Sequence, residues 1–135
     1  MIGGLIVMHG KLGEELLNAL TIILGEATNI EAISIGWYDD VEESRRKIGA
    51  SLKRVDQKSG VVIFTDMFGG TPSNLSFAFQ KDGVVEIITG VNLPMLIKFI
   101  SLQRATNLRE VAKKVVEQGR KNIHLASALL GGKTT

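Results

Sequence analysis

Val61-Val62-Ile63-Phe64-Thr65-Asp66-Met67-Phe68-Gly69-Gly70-Thr71-Pro72 changes character twice within a short span. Its first five residues are apolar or β-branched without a break, as in a strand buried on both faces. Two glycines then interrupt the chain. Thr71-Pro72 reads as a helix start, with a hydroxyl cap and then proline at the first helical position. A strand that passes through a glycine turn into a helix is the building unit of a parallel sheet. Other apolar runs repeat the plan. Leu5 to Met8 is equally continuous, and Val84 to Thr89 is a further run. Ile30 to Ile35 admits Glu31 and Ser34, which suits a more exposed strand.

Helical spacing fills the gaps. Leu12, Leu16, Leu20, Ile23 and Leu24 share one face ahead of Gly25, a C-terminal cap position. Val41, Ile48, Leu52 and Val55 form a second stripe, with Asp40 as its cap and Glu43 three residues on. Asn92 with Pro94 opens a fourth helix. Asn107 with Glu110 opens a fifth, which carries Leu108, Val111, Ala112, Val115 and Val116 and has Gly119 after its end. Ile123 to Leu125 reads as a last, short strand, and Gly131 to Thr135 as a loose tail. The alternation predicts an α/β fold: a doubly wound, mainly parallel sheet of strand order 2-1-3-4, helices on both faces, and a short C-terminal strand. Residues 1–126 are expected to form one domain and 127–135 a C-terminal tail.

Composition narrows the function. The 135 residues are 44% hydrophobic, enough for one packed core. No apolar run approaches the roughly 18 to 20 residues of a membrane span. Met1 to Met8 lacks a basic start and a cleavage site, so it reads as a first strand and not a signal peptide. There is no cysteine, which removes disulfides, thiol nucleophiles and thiolate metal sites and is compatible with the cytoplasm. The formal net charge is +2, with Lys and Arg scattered among acids as in Glu42-Glu43-Ser44-Arg45-Arg46-Lys47, so charge makes no case for nucleic acid.

In open sheets of this kind ligands bind beyond the carboxyl ends of the strands, where strand order reverses. Strand one ends in Met8-His9-Gly10 and strand three in Thr65-Asp66, so this topology brings His9 and Asp66 to one crevice. A histidine at a strand end often does no more than bond a carbonyl. Here Gly10 and Gly13 allow a tight turn and close approach, a helix follows at once, and a neutral imidazole nitrogen is a nucleophile toward phosphorus. An aspartate at a strand end often only caps a turn. Opposite a histidine it also fixes the ring tautomer and offsets charge developing on the ring. Gly69, Gly70 and Thr71 make a plain turn into a helix, or a set of amides and a hydroxyl that hold phosphoryl oxygens. The GK[ST] ending of a nucleotide-binding loop is absent, and so is the GxSxG of a serine hydrolase. Met67 and Phe68 fit an apolar rim or the core equally well. His124 lies in Ile123-His124-Leu125 and reads as a strand histidine. Two distant histidines without cysteine make a weak case for a metal site, and none is expected.

At Ile6-Val7-Met8-His9-Gly10, Asp66 to Asn74, and Gly90-Val91-Asn92-Leu93-Pro94-Met95-Leu96, the sequence closely resembles the enzyme IIA domain of the mannose family of the bacterial sugar phosphotransferase system. The pieces stand in family order over roughly the first 100 residues, and the layout continues to about Leu125. The resemblance implies a cytoplasmic phosphotransferase component with His9 as the phosphorylated histidine, Asp66 as its partner, and Thr71 in the phosphoryl pocket. It implies that the histidine phosphocarrier protein HPr is the donor and that a IIB component is the acceptor, in the service of sugar uptake. It needs no cofactor, metal or nucleotide, and it touches the membrane only through the transport complex. Family members are homodimers with an exchanged C-terminal strand, here Ile123 to Leu125. Several carry a fused IIB after a linker; 135 residues leave no room for one, so a separate IIB is expected. Met8 stands where the family often has a small polar residue. Alternative roles are a regulatory phosphoprotein of the same fold and a phosphoryl donor to a dihydroxyacetone kinase system. A receiver-like domain would need acids just after strand one, and Met8-His9-Gly10 offers none.

Overall fold

The computed structural model describes residues 1–131. Strands β1 (Gly3–His9), β2 (Ile30–Ile35), β3 (Val61–Thr65) and β4 (Val85–Ile88) form one parallel sheet in the order β2-β1-β3-β4, as the alternation predicts. Helices α1 (Leu12–Leu24), α2 (Val41–Val55), α3 (Thr71–Phe77), α4 (Leu93–Leu102), α5 (Leu108–Lys121) and α6 (Ala126–Leu130) connect and flank it. Among the described residues no helix is long and apolar enough to cross a membrane.

Strand alternation sorts the apolar side chains into two cores. Ile6, Met8, Val62 and Phe64 point to one face and pack with Leu20, Leu96, Phe99 and Val115 from α1, α4 and α5. Phe64 and Phe99 meet edge to face, with ring centroids 5.0 Å apart. Leu5, Val7, Val61 and Ile63 point to the other face and pack with Ile48, Leu52 and Leu75 from α2 and α3. His9 is the next odd-numbered residue after Leu5 and Val7. The same period of two therefore aims it at the α2 and α3 side, and a one-residue slip of β1 would turn it away.

The caps expected at Asp40, Asn92 and Asn107 are present; their side chains accept from the amides of Glu42, Met95 and Glu110. Several expectations need correction. The buried line of α1 runs through Gly13 and Leu20, with Leu16 and Leu17 partly buried, while Leu12, Ile23 and Leu24 are exposed. Gly13 sets this line, because a Cβ there would sit 2.9 Å from Ile6 Cγ2 and hold the helix off β1. Val41, at the start of α2, is likewise exposed. Gly119 does not end α5 but lies in its last turn; a Cβ there would overlap Met95 Sδ, so it serves the close packing of α5 on α4.

Ile123 to Leu125 is not a strand within this chain. The segment pairs with nothing in the sheet, and Ile123 and Leu125 are 75% and 73% exposed. Three residues cannot hold strand geometry without an edge to bond to. Part of the expected tail is helical: α6 covers Ala126–Leu130, with no buried residue. Residues 132–135, the rest of that tail, lie outside the described residues.

Candidate active site

The register of β1 and β3 places the two predicted residues side by side. Val7 pairs with Thr65, so the chain leaving β3 runs past the end of β1. There the Asp66 carboxylate accepts two bonds from one residue: Oδ2 lies 3.0 Å from the His9 amide nitrogen and 2.7 Å from His9 Nδ1. Oδ1 accepts from the Met67 amide at 3.1 Å. The His9 side chain is 47% exposed and that of Asp66 only 12%, so the carboxylate supports a ring that faces solvent.

Burial alone would push the Asp66 carboxyl upward, but the bond from the His9 ring, the bond from the His9 amide and the charge of His9 outweigh it. The net effect holds Asp66 below the usual carboxylate range. Asp66 is therefore ionised at neutral pH, and an ionised carboxylate only accepts hydrogen bonds. Nδ1 must then carry the proton. In the neutral ring Nε2 keeps its lone pair, on the side away from Asp66.

Two further contacts fix the backbone under the ring. Gly10 turns the chain with φ +54°. Its amide donates to Ile35 O at 2.9 Å, and the Ser34 hydroxyl donates to Gly10 O. Ser34 is half-buried on β2, and nothing in its sequence context marked this role.

The turn from β3 into α3 differs from expectation in one respect. Thr71 does not cap α3; Gly70 is the N-cap and makes no side-chain bond. Ser73, inside the helix, ties the preceding turn to it: its hydroxyl donates to Gly70 O at 2.9 Å and accepts from the Gly69 amide at 3.0 Å. The Gly69 amide is thus already used within the turn. The Thr71 hydroxyl, by contrast, has no hydrogen-bond partner among the described residues. Gly70 clears room for the nucleophile: a Cβ there would lie 2.7 Å from His9 Cε1 and 3.1 Å from Nε2.

His9, Thr71 and Leu75 border a cavity of about 490 Å³, closed on the other side by Ile35, Gly36, Trp37 and Asp39. This second wall, the turn between β2 and α2, was not singled out from the sequence. Met67 and Phe68 prove to be rim and not core: both are exposed, and Phe68 packs on Phe77 at 5.9 Å between centroids. His124 is exposed and does not line this cavity.

The arrangement is a histidine with one nitrogen held by a carboxylate, the other open to a crevice, and glycines cut back around it. Residues 3–116 match the family model EIIA-man, described as the PTS system fructose IIA component. The chain belongs to this family. It is 27% identical over 128 residues to the fructose-specific EIIA component of Bacillus subtilis, covering 94% of this chain and 88% of that protein. It is 30% identical over 122 residues to the mannose-specific EIIAB component of Escherichia coli, covering 89% of this chain but 38% of that longer protein. In fold it is similar to the phosphotransferase system component EIIA from Streptococcus agalactiae, with a TM-score of 0.85 at 24% identity over 95% of this chain and 99% of the other. A IIA component of the sugar phosphotransferase system takes part in phosphoryl transfer, and a carboxylate-held histidine at a strand end suits that chemistry.

Proposed function

We propose that the chain is a phosphoryl carrier for sugar uptake, with His9 Nε2 as the atom that takes the phosphoryl group. The observation that carries this reading is the 2.7 Å bond between His9 Nδ1 and Asp66, which leaves Nε2 as the free nucleophile. Phospho-HPr presents its phosphorus in line with that lone pair. The new P–N bond forms at Nε2 as the P–N bond to the donor histidine breaks, and the donor nitrogen recovers its electron pair. The His9 ring becomes cationic in the process, keeping its proton on Nδ1, and the ionised Asp66 carboxylate offsets that charge. The Thr71 hydroxyl and the amides at the head of α3, which have no intrahelical acceptor, meet the equatorial oxygens. Gly69 and Gly70 shape this pocket, Gly69 by turning the chain and Gly70 by leaving space for the ring. The same steps in reverse order pass the group to a separate IIB component. The reading needs no cofactor and places the protein in the cytoplasm, with residues 1–126 as the carrier domain.

The active form in this reading is a homodimer. Ile123 and Leu125 flank His124 and are both exposed, and the sheet of the described residues ends at β2 and β4. Adding the segment of one copy to an edge of the other buries both.

The test is labelling with phosphoenolpyruvate, enzyme I and HPr, followed by candidate IIB proteins. Wild type and His124→Ala take up an acid-labile label, and His9→Ala takes up none. Acid-stable label, or label kept by His9→Ala, refutes the assignment.

A further inference from the structure

The turn between β2 and α2 carries two aromatic residues with nothing to rest on. Trp37 is 92% exposed and Tyr38 95%. They occupy the two corners of a β-turn in which the Asp39 amide donates to Gly36 O at 3.3 Å. The Asp39 carboxylate closes the same turn from the other side, accepting from the Gly36 amide at 2.6 Å. Turn corners ordinarily hold Gly, Pro, Asn, Asp or Ser, which suit the backbone there. A Trp-Tyr pair gains nothing locally from that place. The turn is held by two bonds, so the aromatics are displayed and not left to collapse onto the domain.

Their position in the sheet gives the display a purpose. β1 lies between β2 and β3, so the segments that follow β2 and β3 flank His9 on its two sides. One flank presents Trp37 and Tyr38, the other Met67 and Phe68, all exposed. A small phosphoryl donor would need no such collar. Large exposed aromatics around a reactive centre are what a protein partner buries. Charge indicates which kind. Asp39, Asp40 and Glu43 follow closely on Tyr38, while Glu42 is paired with Arg45 at 2.7 Å, in a chain whose net charge is +2.

We propose that the Trp37–Tyr38 turn is the docking arm for the phosphoryl donor protein, which brings its phosphohistidine within an apolar surface bordered by basic side chains. This rests on the phosphoryl-carrier reading and names the part of the surface that recognises the donor. The arm fixes the approach of the donor phosphorus to Nε2, and the acids steer the encounter.

The experiment compares two donors on the full chain, phospho-HPr and the small donor phosphoramidate, which needs no docking surface. In the Trp37→Ala/Tyr38→Ala variant the ratio of phospho-HPr labelling to phosphoramidate labelling, each as a second-order rate constant, falls by roughly 30-fold or more, the scale of losing an aromatic anchor. Trp37→Phe/Tyr38→Phe keeps most of the apolar area and stays within about threefold of wild type. Trp37 is the only tryptophan, so its fluorescence changes when unphosphorylated HPr is titrated in. An unchanged ratio in the alanine variant, with His9 still labelled, overturns the docking arm and leaves the carrier reading intact. A shift of that variant to a smaller species in light scattering assigns the arm to a subunit contact and also overturns it. Wild type that takes no acid-labile label from either donor removes both readings.

Discussion

Gly70 offers a way to move the nucleophile without touching its chemistry. Its backbone is extended, with φ −89° and ψ 170°, so alanine fits the main chain there. The side chain does not fit, because a Cβ would lie 2.7 Å from His9 Cε1. Carbon atoms pack at about 3.5 Å, so the ring must retreat by about 0.8 Å. The retreat works against the 2.7 Å bond from Nδ1 to Asp66 and swings Nε2 out of line with the incoming phosphorus. A misplacement near 1 Å costs on the order of 10²-fold in rate, so Gly70→Ala should slow single-turnover transfer from phospho-HPr by roughly 30- to 100-fold. Its melting temperature should barely change. Gly69→Ala behaves differently, because Gly69 has φ +94° and open space around its Cα. Its cost falls on stability, about 1–2 kcal/mol of backbone strain, with a smaller loss of rate than at position 70. Rapid-quench transfer assays and thermal melts of the two variants separate these effects. A folded Gly70→Ala protein that transfers at the wild-type rate would refute the claim that this contact sets the ring.

Asp66→Asn keeps the size but can hold the wrong ring tautomer, so transfer should slow by on the order of 10² or more while circular dichroism stays unchanged; transfer at the wild-type rate would reduce Asp66 to a turn residue. The lowered Asp66 carboxyl also gives an acid signature. Because the folded state holds this proton less tightly than the unfolded chain, its contribution is complete above the unfolded value of about 3.9 and fades as pH falls through the folded one. Melts of wild type and Asp66→Asn should therefore converge as pH drops below about 4; a gap that stays constant down to pH 2.5 would contradict the shift. Truncation before Asn122 should move the protein toward monomer or insoluble material in light scattering, and an unchanged dimer would show that the C-terminal segment is not the subunit contact.

The sequence carried the sheet because its signals were local and redundant. Continuous runs such as Leu5 to Met8 and Val61 to Thr65 have one stable placement, the middle of a parallel sheet, and they lie at its centre. The meeting of His9 and Asp66 followed from topology alone, since strand order fixes which strand ends are neighbours whatever lies between them. What failed were readings that depend on how closely elements approach. The face of α1 could not be told from apolar spacing, because Gly13 decides it by contact with Ile6. Thr71 does not cap α3, because the glycine turn starts the helix one residue earlier than the hydroxyl suggested and leaves Gly70 at the N-cap.

The same distinction explains the turn at Gly36 to Asp39. Nothing in Trp37-Tyr38 marks a turn, and two aromatics between a strand and a helix ordinarily read as core. The Asp39 side chain, reaching back three residues to the Gly36 amide and adding to the bond from the Asp39 amide to Gly36 O, clasps the turn that holds the pair outward beside the nucleophile. If that clasp sets the display, Asp39→Ala should free the turn and let the aromatics sample many orientations. The catalytic pair would be untouched, because His9 is held by Asp66, and Gly10 beside it by Ser34 and Ile35, and none of these bonds involves Asp39. Trp37 fluorescence anisotropy in the free variant should then fall, and the phospho-HPr to phosphoramidate ratio should drop without either aromatic being removed. Ordering a loop on binding costs about 1 kcal/mol or more, so a drop of roughly fivefold is expected. A variant with lower anisotropy but an unchanged ratio would mean that the donor binds the aromatics as well from a loose turn as from a fixed one, and that the Asp39 clasp serves the fold of α2 alone.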